Sequence, residues 1–329
     1  MFRQSQKFLN PIWLLCFGLG TCFIILGLKS NAIASSADFL AQEATTDAIN
    51  GVTGVNLFQA IVLGFVQGAT EFIPISSTAH LKAVPVLFGW GDPGVSFSAV
   101  IQLGSLAAVL SYFWSDISQI TKGAIAAIRN SDYNSQDLSI AIGIVVGTLP
   151  IVFFGLLLKF FEPAFYENIL RSMTSIAIVS IVMALFLALA ESVGNQKRNF
   201  DDLSLKDGIV LGFAQALAIV PGVSRSGSTL TAGLFSNLDR ATATRFSFLL
   251  GIPAIALSGL VELKEMFDTG AASTGLVALI GALISSAVFS YLAIAWLLKF
   301  LKRRSTWVFV WYRLGFGVFI LTALTLDWI

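Results

Sequence analysis

The chain has 329 residues, of which 56% are hydrophobic and only 12% charged, where a soluble domain carries about 25% charged residues. That balance, with a mean hydropathy of +0.83, excludes an ordinary soluble globule. The formal net charge is +1, so no charge bias points to nucleic acid.

Residues 1–34 read as a secretory signal. Arg3 and Lys7 give the positive start, 12–28 the apolar stretch, and Ala32, Ile33 and Ala34 a small-x-small cleavage site. The apolar stretch is long for a signal, so an uncleaved membrane anchor is the alternative. Residues 35–54 then form an extracytoplasmic linker with Asp38, Glu43 and Asp47 and no lysine or arginine. The two cysteines, Cys16 and Cys22, lie before that cleavage site and have no zinc-site spacing. Cleavage would leave a mature chain with no thiol chemistry.

Beyond residue 54 the apolar segments come in two lengths. Full spans are expected at about 97–114, 139–160, 172–190, 246–261, 274–298 and 307–328. The stretches 55–73 and 208–220 are shorter, and each ends in a turn rich in Pro, Gly and Ser. Such a segment suggests a re-entrant hairpin that turns at mid-depth and leaves by the side it entered. Threading from outside places eleven basic residues in the cytoplasm: Lys122, Arg129, Lys197, Arg198, Lys206, Arg240, Arg245, Lys299, Lys302, Arg303 and Arg304. Only Lys82, Lys159, Arg171 and Lys264 fall outside, which satisfies the positive-inside rule. Counting the short segments as full spans scrambles this bias.

The first hairpin enters from outside and the second from the cytoplasm, and their sequences match. Leu63-Gly64-Phe65-Val66-Gln67 reads against Leu211-Gly212-Phe213-Ala214-Gln215. Pro74 leads to Ser76 and Ser77 as Pro221 leads to Ser224 and Ser226; Phe97-Ser98 and Phe246-Ser247 open the next segments. The expected fold is an all-α polytopic membrane protein over 55–329. It is an inverted-topology repeat with about six transmembrane helices plus two re-entrant helical hairpins, whose turns meet near the midplane.

Scarce polar groups concentrate at those turns. Gln67 and Glu71 share a helix face, Pro74 ends the helix, and Ser76, Ser77, Thr78 and His80 follow. A carboxylate at bilayer depth is expensive unless it is paired or faces water. Carboxylate, hydroxyls and the single imidazole of the chain are the ingredients of general acid–base or nucleophilic chemistry. The second turn, Pro221-Gly222-Val223-Ser224-Arg225-Ser226-Gly227-Ser228-Thr229, offers hydroxyls, glycines and a guanidinium fork suited to phosphate oxygens. A helix starting there would add free N–H groups. No Walker-type motif or dinucleotide fingerprint is present, which argues against a nucleotide. The plainer readings are a structural Glu71–Arg225 pair, an interfacial His80, serines bonded to backbone, and Gln102 as helix glue or site lining. Arg313 with Tyr312 reads as a packing or snorkelling pair.

At these residues the sequence resembles the undecaprenyl-diphosphate phosphatase family, also called the bacitracin resistance protein family. The likeness covers about 55–329 and includes Val100-Ile101-Gln102-Leu103-Gly104, Phe246-Ser247-Phe248-Leu249 and Trp311-Tyr312-Arg313. Residues before 55 stand outside the compact family pattern. The resemblance implies hydrolysis of undecaprenyl diphosphate at the outer face of the bacterial inner membrane. That recycles the lipid carrier for peptidoglycan synthesis and confers bacitracin resistance. By motif, the catalytic positions fall on Glu71, Ser77, His80 and Arg225, with Gln67 at a Glu/Gln position. A phosphate site would draw on Gln67, Ser76, Ser224, Ser226, Gly227 and Thr229. The family also implies a divalent cation, magnesium or calcium, whose ligand here would be Glu71 because Gln67 is uncharged. Either Ser77 or His80 attacks phosphorus, and a homodimer is compatible with this reading. The rival is an inverted-repeat transporter or flippase for a prenyl phosphate lipid, and a membrane scaffold is a third.

Overall fold

The computed structural model describes residues 55–268 and 275–329; the expected signal and linker, 1–54, lie outside the described residues. The described chain is helical, with one isolated bridge between Arg198 and Leu238. In chain order the helices are α1 Leu57–Glu71, α2 Ser77–Leu87, α3 Gly94–Tyr112, α4 Trp114–Arg129, α5 Gln136–Phe161 and α6 Met173–Val193. The second half continues with α7 Leu205–Ala216, α8 Arg225–Phe235, α9 Arg240–Asp268, α10 Leu276–Leu301 and α11 Trp307–Thr325. Six of these, α3, α5, α6, α9, α10 and α11, are long and apolar enough to cross a membrane. They turn large apolar side chains outward, Val145, Phe153, Phe160 and Ile284 among them, where lipid can cover them. The protein is an all-α polytopic membrane protein.

The two short apolar segments form hairpins. α1 starts at a capping box: Asn56 accepts the Gln59 N–H at 2.9 Å and the Gln59 side chain accepts the Asn56 N–H at 3.0 Å. It ends at Glu71, ahead of Pro74, and the chain reverses into α2; α7 and α8 repeat the pattern around Pro221. Each hairpin is held by a span of the other half, α1 against α10 and α7 against α5. Small residues permit this closeness. A Cβ at Gly64 would lie 2.3 Å from the Ala282 carbonyl oxygen, and one at Gly212 would lie 2.4 Å from Gly147 Cα. The remaining long helices pair across the halves as well, α3 with α9 and α6 with α11.

α4 occupies a stretch that the sequence reading leaves as a loop carrying Lys122 and Arg129. Polar residues in every turn keep it below the hydropathy of a span. Ile117, Ile120, Ala124 and Ala127 nevertheless recur at helical spacing, and Ala124 and Ala127 pack on Leu138 and Ala141 of α5. Charge pairing groups the helix ends into the two sets that the threading expects to share a side. Lys82 and Arg171 meet Asp92, and Lys159 meets Glu262 and Glu265, all at ends assigned outside. Arg198 meets Asp207, Arg240 meets Glu191, and Arg245 meets Asp116, all at ends assigned inside.

Candidate functional site

The two short helices α2 and α8 begin in the same unusual way. Their N-caps, Ser76 and Ser224, both have positive φ, 77° and 69°, with ψ of 97° and 114°. A non-glycine residue held there carries strain of roughly 1–3 kcal/mol. Each cap hydroxyl accepts a first-turn N–H in return, Ala79 at 3.4 Å and Gly227 at 3.1 Å. The residue that follows each cap, the first of each helix, turns toward the end of α1. Those residues are Ser77 and Arg225, and both reach Glu71.

Glu71 is the last residue of α1 and is 7% exposed. Its Oε2 accepts the Ser77 hydroxyl at 2.7 Å and the Gln67 amide at 2.9 Å; its Oε1 accepts Arg225 NH2 at 3.0 Å. The other arm of Arg225, NH1, is buried with no hydrogen-bond partner. Gln67 also donates to Ser105 at 3.3 Å, and Ser105 joins Ser286 at 3.1 Å and Ser290 at 2.8 Å. The carboxylate therefore rests on a wholly buried polar chain that runs into the α3–α10 contact. The structural Glu71–Arg225 pair of the plainer reading is present, and it is the same contact that brings the two motifs together.

His80 uses both ring nitrogens. Nδ1 is 2.7 Å from the Ser76 carbonyl oxygen, which can only accept, so Nδ1 carries the proton. Nε2 then accepts the Tyr312 hydroxyl at 2.7 Å, with the ring stacked on Phe316. His80 thus braces the strained carbonyl of Ser76 from one side and is itself held by α11.

The sequence reading takes Arg313 as a packing or snorkelling residue, and the structure corrects this. Arg313 is 1% exposed and donates to four carbonyls: Pro74 at 3.3 Å, Gly222 at 2.7 Å, Val223 at 3.0 Å and Ser180 at 3.3 Å. One guanidinium clips both re-entrant turns to α6. Ser226 adds to the clip, donating to the Glu71 and Ile73 carbonyls at 3.3 Å each.

The expected phosphate-site residues divide. Gln67, Ser76, Ser224, Ser226 and Gly227 lie at the two turns with Glu71, Ser77 and Arg225. Thr229 is one helical turn deeper, its hydroxyl spent on the Arg225 carbonyl at 2.8 Å and on Ser247. Gln102 is half-buried on α3. Tyr312, Arg313 and the Ser105–Ser286–Ser290 set were not expected. The signal for Arg313 was available: a charge two turns inside an apolar run marks a site by default. Ser286 and Ser290 share a face at i, i+4 but carry no mark that separates them from ordinary helix serines.

Among the described residues no group of three or more His, Cys, Asp or Glu could hold a metal ion. Glu71 is a single carboxylate already met by three donors, so the described residues alone build no cation cage.

Against known families, residues 60–319 match the model for the bacitracin resistance protein BacA. A Synechocystis protein named undecaprenyl-diphosphatase is 58% identical over 322 residues, 98% of both chains. That overlap is longer than 55–329, so it takes in residues ahead of the hairpins, and the N-terminal extension is shared with this relative. Proteins of the same name from Trichormus variabilis and Trichodesmium erythraeum are 61% and 55% identical, covering 84% and 88% of this chain and 86% and 93% of theirs.

Proposed function

The chain belongs to the bacitracin resistance protein family, and from that premise we propose that it hydrolyses undecaprenyl diphosphate to undecaprenyl phosphate and inorganic phosphate. One observation carries the reading: a single buried carboxylate, Glu71, holds the Ser77 hydroxyl on one oxygen and the Arg225 guanidinium on the other. A nucleophile–base pair and an anion-binding fork are thereby within one side chain of each other. A carrier needs the fork but has no use for the hydroxyl.

The terminal phosphate takes the idle NH1 arm of Arg225. It also sits before the first-turn N–H groups of α2 and α8, which have no i−4 acceptor in their helices. Ser77 Oγ attacks the terminal phosphorus in line with the bridging oxygen and its proton passes to Glu71. The bridging P–O bond breaks, and undecaprenyl phosphate leaves with the electron pair. Water then cleaves the seryl phosphate, releasing inorganic phosphate, with Glu71 handling its proton. Arg225 and the helix starts stabilise the equatorial oxygens throughout. Ser77 is preferred over His80 as nucleophile because both imidazole nitrogens are already engaged, one as a donor to Ser76 and one as an acceptor from Tyr312. Gln67, through Ser105, holds the carboxylate in place.

A divalent cation, magnesium or calcium, fits this site as a companion of the substrate. Glu71 would be its one carboxylate contact, with diphosphate oxygens and water for the rest, and it would neutralise phosphate charge. The enzyme so read sits in the bacterial inner membrane, recycles the carrier for cell-wall synthesis and confers bacitracin resistance. An outward-opening site is supported by Phe72, Phe248 and Phe113, which pack ring to ring on the side of the α3 end assigned to the cytoplasm. A homodimer is consistent with the broad apolar faces.

The test is phosphate release from undecaprenyl diphosphate by detergent-purified protein. Ser77→Ala should lower kcat by about three orders of magnitude or more while the melting temperature falls by only about 3 °C, the loss of one charge-assisted bond. His80→Ala should lower both together, because it removes a brace. Wild-type turnover in Ser77→Ala would sink the nucleophile assignment.

A further inference from the structure

Arg225, in reaching Glu71, passes close against α9. At Gly251, in the interior of that helix, a Cβ would fall 1.4 Å from Arg225 NH1, 2.4 Å from Cζ and 3.1 Å from NH2. These are the three nearest heavy atoms to the missing methyl group, and all belong to one side chain. The backbone at 251 is helical, without the positive φ that calls for glycine, so conformation does not explain the residue. Glycine inside a helix disfavours the helix relative to alanine. Elsewhere in this fold the crowded glycines face backbone, as Gly64 does the Ala282 carbonyl and Gly212 does Gly147, or a side chain of a packed helix, as Gly259 does Leu103, Gly317 does Ile181 and Gly123 does Asp137. Those serve helix approach. Gly251 faces the tip of the guanidinium.

We propose that Gly251 is a positioning residue, a slot in α9 whose empty side admits the NH1 end of the Arg225 guanidinium. NH2 is then directed at Glu71, and NH1 is left unbonded for a phosphate oxygen. The slot suits a planar fork and nothing else. An ammonium group at 225 would neither fill it nor present two parallel donors. A methyl group at 251 would push the guanidinium off both Glu71 and the phosphate, while touching no other heavy atom as closely. The loss therefore falls on turnover and on phosphate capture, not on the packing of α9 with its neighbours.

This inference rests on the assignment of Arg225 as the phosphate fork, and the experiment separates the two. Gly251→Ala, Arg225→Lys and the double variant are purified as full chains in detergent. Each is assayed for phosphate release from undecaprenyl diphosphate, with kcat and KM resolved, and for thermal unfolding. Gly251→Ala should lower kcat/KM by about 100-fold or more, the scale of losing an oriented charge-stabilising donor. Its melting temperature should be at or above that of the wild type. In the Arg225→Lys background the same alanine should change kcat/KM less than about threefold, because nothing is left in the slot to displace. Wild-type turnover in Gly251→Ala, with Arg225→Lys impaired, overturns the slot alone. Full turnover in Arg225→Lys overturns the fork on which it stands. Equal losses in both backgrounds assign Gly251 a packing role and also overturn the proposal. Should Gly251→Ala fail to fold, Arg225→Ala in the same chain should restore folding; failure to do so refutes the collision.

Discussion

Replacing Arg313 by methionine, which keeps much of the volume and none of the donors, tests the clip that joins the two turns. Four carbonyls lose a donor. The bonds to Gly222 and Val223, at 2.7 and 3.0 Å, have full strength; those to Pro74 and Ser180, at 3.3 Å, are weak. Charge-assisted bonds contribute about 1.5 kcal/mol each at the low end, and the long ones about a third of that, giving about 4 kcal/mol before relief of the buried charge is set against it. A net loss of about 3 kcal/mol corresponds to roughly a 6 °C fall in melting temperature for a chain of this size. Activity should fall further than stability suggests. The Pro74 bond links the hairpin bearing Ser77 to the hairpin bearing Arg225, and a misplacement of about 1 Å between reacting groups costs on the order of 100-fold in rate. Thermal unfolding in detergent and kcat from phosphate release, measured at a temperature where the variant is folded, give the two numbers. Methionine at 313 with wild-type kcat would refute the idea that the clip sets the register of the site, whatever happened to the melting temperature.

Two other outcomes follow from groups away from the carboxylate. Burial alone would raise the Asp92 carboxyl, but hydrogen bonds from Arg171, Lys82 and the Gly94 N–H outweigh it and hold the group below its ordinary 3.8. A depressed carboxyl stabilises the fold above that ordinary value and stops doing so as pH falls through the folded one. Asp92→Asn should therefore melt lower than wild type near neutral pH, and the gap should close only below about pH 4. A gap independent of pH would rule out the ion pairs as its source. Chelation with EDTA should suppress phosphate release, and magnesium or calcium should restore it, while the melting temperature of the substrate-free protein stays put. A melting temperature that falls on chelation would mean the protein holds the ion unaided, contrary to the engaged state of Glu71.

Much of this architecture was legible in the order of residues. Long apolar runs give spans, and the stretches cut short at Pro74 and Pro221 give hairpins, because a proline-broken backbone at membrane depth must line a polar interior. Glu71, Ser77 and Arg225 stood out because charges and clustered hydroxyls are scarce in such a chain. Other features left weaker traces. α4 gives no span signal because a polar residue falls in every one of its turns. Arg313 sits beside Tyr312 in a run that reads as an ordinary last helix; only the fold reveals that Pro74, Gly222 and Val223 present their carbonyls to it. Gly251 is one of 28 glycines, and nothing in its neighbours marks the space it leaves.

The matched caps Ser76 and Ser224 bear on why one chain carries both halves. In an ancestral pair of identical hairpins related by a two-fold axis, whatever residue followed the cap on one side would follow it on the other. Such a pair could present two hydroxyls or two guanidinium groups to the midplane, but not one of each. Glu71 would likewise have faced its own twin, where the second half now has Ile219. Fusion of two such halves would release that constraint: each cap could keep its shape while the residue after it differed. The division of labour between Ser77 and Arg225 is broken symmetry, and it is available only to a duplicated unit whose copies can drift apart.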